Sequence, residues 1–283
     1  MKNKSEIQNP KPEIGCQGWN YDDWTTKAGG RSIFYPRGTR SAGMLALYAR
    51  MFGTIEVDST FYAIPPASSL EGWHQKTPVD FTFSLKMPQE ITHEHFLRKS
   101  SFEISRSFCE RALELKEKLA SVLIQLPPTF AANKENARNL RNFLAELPTD
   151  EIRFAVEFRE RGWLVDWTFE ELEKNRTALC LVEGSWIPRE QMFEAAPKPT
   201  ADFAYVRFMG ERDLTSFDRV HRPQDAGLEI WAEEIKKIKA TDIYIYFSNF
   251  YEGHAPASAN KLKHLLGQKT VDPETLEDQG SLF

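Results

Sequence analysis

The run Phe154-Ala155-Val156-Glu157-Phe158-Arg159 alternates large apolar residues with small or charged ones. Alternation with period two marks a strand whose faces meet different surroundings. Here Phe154, Val156 and Phe158 need cover, while Ala155, Glu157 and Arg159 share the opposite face. The pattern recurs in Ile55-Glu56-Val57-Asp58-Ser59 and in Phe83-Ser84-Leu85-Lys86. Gln125 stands alone between Ile124 and Leu126, and Arg207 between Val206 and Phe208. In a β/α barrel the helices cover the outer face of each strand and the inner face turns toward the axis. The apolar set is therefore expected to point outward and the polar set inward.

Working outward from these runs, eight strand candidates appear: Glu13–Trp19, Thr54–Ser59, Phe81–Met87, Ser121–Pro127, Arg153–Arg159, Ala178–Glu183, Phe203–Met209 and Asp242–Asn249. Each is short and rich in Val, Ile, Phe or Tyr. Helical periodicity fills the gaps at Ser41–Phe52, Ser68–Lys76, Phe102–Leu119, Lys134–Leu147, Trp163–Asn175, Leu228–Lys239 and Ser258–Leu266. The link from Glu183 to Phe203 is the least regular, with a brief helical stretch at Glu190–Ala195. Strands that alternate with helices form βαβ units and a parallel sheet, and eight units predict a single (β/α)8 TIM barrel. No glycine-rich dinucleotide or P-loop fingerprint is present, which counts against an open nucleotide-binding sheet. The expected division is an arm at 1–12, a barrel at 13–268 and an extended polar tail at 269–283.

The chain has 283 residues, 41% hydrophobic and 27% charged, within the range of one barrel domain. Its net charge of −5 argues against general electrostatic attraction to nucleic acid. The three cysteines, Cys16, Cys109 and Cys180, have no paired spacing. Residues 1–15 hold no apolar run and no membrane-length apolar stretch occurs, so a cytoplasmic protein with reduced thiols is expected.

Glu56, Asp58, Lys86, Gln125, Glu157, Arg159 and Arg207 should converge near the axis at the carboxyl ends of the strands, where barrels build their sites. Two readings stand. The charges form an active site, or they form a satisfied ion network that plugs the barrel. On the first reading Glu56, Asp58, Lys86 and Glu157 are the acid–base group, and Arg159 and Arg207 hold a phosphate or carboxylate. Three nearby carboxylates should keep Lys86 charged, which favours an electrostatic role over nucleophilic attack. Trp19, Tyr21, Trp24, Phe61, Tyr62 and Trp163 crowd the expected rim, where aromatics either stack a ligand or pack the loops. No cofactor is expected; carboxylates with His93 would admit a divalent ion, although the remaining histidines are scattered.

Six ordered motifs carry a resemblance: Gly15-Cys16-Gln17-Gly18-Trp19-Asn20-Tyr21, the run from Glu56 to Tyr62, the run from Lys86 to Glu94, Gln125-Leu126-Pro127-Pro128-Thr129-Phe130, Glu157-Phe158-Arg159 with Trp163, and Tyr246-Phe247-Ser248-Asn249. Over about 14–266 the chain resembles the DUF72 (YecE-like) family of uncharacterised proteins. The resemblance implies a β/α barrel and a site, with no reaction attached. It carries Trp19, Tyr21, Tyr62, His93, Gln125, Arg159, Arg207 and Asn249 into the expected substrate-binding set. Two positions depart from the family, which often has Asn in place of Asp58 and of Ser248. The acid at 58 adds a charge to the site.

The last five residues, Gln279-Gly280-Ser281-Leu282-Phe283, look like the peptide by which bacterial clients bind the DNA sliding clamp, with Gln279, Leu282 and Phe283 as anchors. Three functions follow as expectations. The first is an enzyme, a hydrolase or lyase, acting on a small anionic substrate. The second is a nuclease-like DNA repair or processing factor recruited to the clamp. The third is a non-catalytic ligand-binding barrel.

Overall fold

A computed structural model describes residues 11–27, 30 and 33–277. Eight parallel strands close into a barrel: β1 Glu13–Gln17, β2 Thr54–Val57, β3 Thr82–Lys86, β4 Leu119–Gln125, β5 Phe154–Glu157, β6 Ala178–Glu183, β7 Phe203–Phe208 and β8 Asp242–Phe247. Each pairs with the next, and β8 returns to β1 through Ile14↔Ile245 and Cys16↔Phe247. The main crossover helices are α1 Ser41–Tyr48, α2 Ala67–Gln75, α3 Phe102–Ala112, α4 Lys134–Ala145, α5 Asp166–Lys174, α6 Arg189–Ala195 and α7 Asp225–Ile235. After β8 come α8 Asn249–Glu252, α9 Ala255–Leu265 and a single turn, α10 Glu274–Glu277. Gln279, Leu282 and Phe283 lie outside the described residues.

The alternation sorts as its periodicity required. Ile55, Val57, Phe83, Leu85, Val156 and Phe208 join the helix side chains in one outer core. Leu123, Ala155, Cys180, Tyr205 and Tyr246 belong to a separate cluster inside the barrel. Burial of each large apolar side chain contributes roughly 1.5–3 kcal/mol. The inner layer is partly polar. Tyr246 Oη lies 2.7 Å from Thr54 Oγ1 and 2.8 Å from Ser84 Oγ, and Ser84 reaches Ser121 at 2.9 Å. These hydroxyls satisfy one another, so the interior carries them without an orphaned group.

Most strands are shorter than the alternation suggested. β2 stops at Val57 and β5 at Glu157, so Asp58 and Arg159 sit on the turns that follow. The expected helix Phe102–Leu119 also breaks. It leaves α-helical geometry at Ala112 and continues as tighter turns to Lys118, with Lys116 at φ 55°. The reversal buries the Lys118 amine, which donates to the carbonyls of His74 and Thr77 at 2.7 and 2.8 Å and so caps the end of α2. All three cysteines are free and buried. Among the described residues no helix is long and apolar enough to cross a membrane.

Candidate active site

Arg207 sets the geometry at the carboxyl end of the barrel. It projects inward from β7 and is 1% exposed. Its Nε and Nη2 donate to the two oxygens of Glu56 at 2.9 and 2.6 Å, and its Nη1 donates to Glu157 Oε2. The Tyr205 hydroxyl donates to Glu56 Oε2 at 2.6 Å. Arg159 Nε donates to Glu157 Oε1 at 2.8 Å. With the Gln17 amide oxygen facing Arg207, it accepts from Nη2 at 2.9 Å. Every carboxylate oxygen of Glu56 and Glu157 therefore has a donor already.

The electrostatics follow from that pairing. Burial works to raise the Glu157 pKa, but Arg207 and Arg159 together outweigh it and hold the group down at about 2. At Glu56 burial raises the pKa, against the opposing pull of Arg207. Glu56, Glu157, Arg159 and Arg207 thus form a buried, mutually paired ion network.

A cavity of about 240 Å³ opens above it. Its polar wall includes Asp58, Lys86, Gln89, His93, Arg159 and Arg212, and Phe61, Tyr62 and Met209 flank it. Arg212 is exposed and makes no ion pair or hydrogen bond among the described residues. Lys86 extends from the end of β3 and is 5% exposed. Its ammonium lies 3.9 Å from Asp58 Oδ1 and 3.9 Å from the centre of the Phe61 ring. It makes no hydrogen bond to a described residue, and Asp58 Oδ1 is buried without a donor. Burial pulls the Lys86 pKa down to about 8, and Asp58 does not fully offset this. The expected protection by three acids is reduced because Glu56 and Glu157 are already paired with arginines. The Thr60 hydroxyl pins the strand end below, accepting from the Lys86 amide at 3.0 Å and reaching its carbonyl at 2.7 Å.

His93 enters the cavity from a single wide turn, Glu90–Glu94, closed by the His95 amide on the Glu90 carbonyl at 2.9 Å. Such turns often occur at functional sites. The next residues, Phe96 and Leu97, hold left-handed backbone at φ 51° and 57°. Non-glycine residues adopt this at a cost of about 1–3 kcal/mol each; Leu97 is fully buried, which offsets part of it. An arginine only donates, and this fixes the direction of the surrounding bonds. Arg159 Nη2 donates to Gln125 Oε1 at 2.9 Å, so Gln125 Nε2 is the donor toward His93 Nε2 at 3.3 Å. The proton of a neutral His93 then sits on Nδ1, facing Thr92 Oγ1 at 2.8 Å. Burial first, then the charges of Lys86 and Arg159, lower the His93 pKa to about 4.

The sequence-derived candidates divide accordingly. Asp58, Tyr62, Lys86, His93, Gln125, Arg159 and Arg207 line the cavity. Glu56 and Glu157 do not; their carboxylates are taken up by Arg159 and Arg207. Trp19 packs edge-on against Trp73 at 5.6 Å, and Tyr21 packs on Trp24 with its hydroxyl on the Gln17 carbonyl at 3.1 Å. Asn249, expected at the ligand, is 3% exposed and accepts from Trp24 Nε1 at 3.1 Å and the Ala255 amide at 3.0 Å. Strand β8 ends at Phe247, so Asn249 falls in α8 and fastens the loops. Trp24 and Trp163 are likewise buried packing residues. Gln17, Gln89, Met209 and Arg212 line the cavity without having been expected there. Among the described residues no three His, Cys, Asp or Glu side chains group as a metal site.

The comparisons agree with this architecture. The chain is similar to the UPF0759 protein YunF of Bacillus subtilis, at 27% identity over 89% of this chain and 94% of the relative. It is similar to the UPF0759 protein YecE of Escherichia coli K12 at 34% identity over 52% of this chain and 47% of the relative. A solved DUF72 family protein from Thermotoga maritima matches with a TM-score of 0.74 and 25% identity, covering 90% of this chain and 99% of that one. Another from Enterococcus faecalis matches with a TM-score of 0.72 and 20% identity, covering 93% and 98%. The profile described as "Protein of unknown function DUF72" matches residues 13–280. With its motifs, its closed barrel and a profile match over most of its length, the chain belongs to the DUF72 family.

Proposed function

We propose that the protein is an enzyme that binds a small phosphorylated or carboxylated substrate in the cavity above the ion network and moves protons with Lys86 and Asp58. The carrying observation is a nearly buried ammonium, without a hydrogen-bond partner among the described residues, facing the same cavity as Arg159 and Arg212. Four cationic side chains, Lys86, Arg159, Arg207 and Arg212, against the single carboxylate of Asp58 on the lining of one small cavity favour an anion. Asp58 Oδ1 supplies an acceptor with no donor among the described residues, the kind of unmet group that a bound substrate completes. Lys86 at about 8 and a carboxylate beside it suit proton exchange near neutral pH. In this reading Glu56, Glu157 and Arg207 are positioning residues that fix Arg159, and His93 is a neutral hydrogen-bonding wall.

Calorimetric titration with inorganic phosphate and with small carboxylates tests the anion site. Removing one charge-assisted donor costs roughly 1.5–3 kcal/mol, so Arg159→Ala should weaken binding at least about tenfold. Arg212→Ala should weaken it less, because its side chain is exposed. Equal binding by wild type and the double variant would remove the anion reading.

A further inference from the structure

We infer that Lys86 forms a covalent imine with the carbonyl carbon of an anionic aldehyde or ketone, a small oxo acid or an oxo phosphate. This deepens the proposed function and rests on its anion site. It begins from what Lys86 lacks. A lysine that only holds an anion gains from being charged and hydrated. Lys86 is instead 5% exposed, its amine has no hydrogen bond to a described residue, and its inner neighbours Glu56 and Glu157 are neutralised by arginines. Desolvation and nearby cations are how a protein makes a lysine nucleophilic near neutral pH. Desolvation is the larger effect at Lys86 and Arg207 adds to it, against the pull of Asp58, and the balance brings the amine down to about 8.

The surroundings suit the full sequence of bonds. The neutral amine adds to the carbonyl carbon, and the carbonyl oxygen takes up a proton to give a carbinolamine. Loss of that hydroxyl as water, with one further proton, leaves a protonated imine. One carbonyl and one ammonium give one iminium and one water, with no oxidant or reductant. Asp58 Oδ1, 3.9 Å from the amine, is placed to accept the ammonium proton and to return it to the departing hydroxyl. Arg159 and Arg212 take the anionic end of the substrate on the same wall. A cavity of about 240 Å³ restricts the site to small molecules.

The test is reductive trapping on the full chain. Pyruvate or dihydroxyacetone phosphate is added with cyanoborohydride near pH 8, and the adduct is located by peptide mass mapping. The expected result is one adduct per chain on Lys86, slowed by inorganic phosphate and at least tenfold faster than with neutral acetone or dihydroxyacetone. Lys86→Arg should remove it, and Arg159→Ala should remove the preference for the anionic probes. The Lys86 side chain makes no hydrogen bond to a described residue, so its replacement should leave the fold intact, as a thermal melt would verify. Labelling spread over surface lysines, with Lys86 no faster, overturns the imine. If phosphate still binds through Arg159, the anion site survives that failure. Trapping on Lys86 with equal rates for neutral and anionic probes overturns the anionic specificity, and with it the reading on which the inference rests.

Discussion

Replacing Glu157 with glutamine keeps its shape and removes its charge. Glu157 is 1% exposed and takes donors from both Arg159 and Arg207. Its fall from the ordinary 4.5 to about 2 corresponds to tighter binding of the ionised form by the fold. At roughly 1.4 kcal/mol per tenfold change in proton affinity, that is about 3 kcal/mol. Glutamine also turns an amide donor toward a guanidinium that can only donate. Breaking a buried pair costs about 3–5 kcal/mol in general, and Glu157→Gln should fall in that range at pH 7. The folded-state pKa lies below the unfolded one, so the contribution is complete above about 4.5 and fades as pH falls toward 2. Urea unfolding followed by tryptophan fluorescence should therefore show a constant deficit from pH 8 to about 5.5 and a shrinking one below. Glu103→Gln is the control, because its partner Arg106 and its own carboxylate are exposed; it should change stability by less than about 1 kcal/mol. A Glu157→Gln protein within about 0.5 kcal/mol of wild type at pH 7, or a deficit that grows in acid, would refute the ion-network account.

His93 should stay neutral from pH 8 to about 5 in an NMR titration, with the proton on Nδ1, because its pKa is lowered to about 4. It resists protonation only when folded, so it should cost stability as pH falls from about 6.5 toward 4; a midpoint near 6.5 would contradict the directed bonds around it. Gly210→Ala should lower thermal stability by more than about 1 kcal/mol, since the backbone there has φ 70° and a Cβ would lie 2.1 Å from the Phe250 carbonyl oxygen. An unchanged melting temperature would show that the turn after β7 can rearrange.

The barrel was legible because its rule is local. Alternation in Phe154–Arg159 and Ile55–Ser59 states which side chains face the axis, and eight repeats of strand and helix state the closure. The identity of the partners was not legible, because pairing depends on register around the barrel. Three acids and three bases could combine in several ways, and only the placement of β7 between β6 and β8 sends Arg207 to both Glu56 and Glu157. Gln89, Met209 and Arg212 follow strand ends, where periodicity stops. Asn249 lies off the strand for the reverse reason: the apolar run carries the expected strand to Asn249, but β8 ends at Phe247 and the chain has already entered α8. The wide turn that delivers His93 has no signature in residue spacing.

The two arginines on the floor of the cavity, Arg159 and Arg207, have one more effect. Proton relays pass a hydrogen on while accepting another, and a guanidinium cannot accept. Arg159 and Arg207 therefore interrupt any relay from the cavity to the tyrosine and serine hydroxyls deeper in the barrel. The ring acts as an insulator as well as a floor. Protons taken up or released at Lys86 and Asp58 must be exchanged with bulk water through the mouth, so a bound ligand that seals the mouth also traps the protonation state in which it arrived.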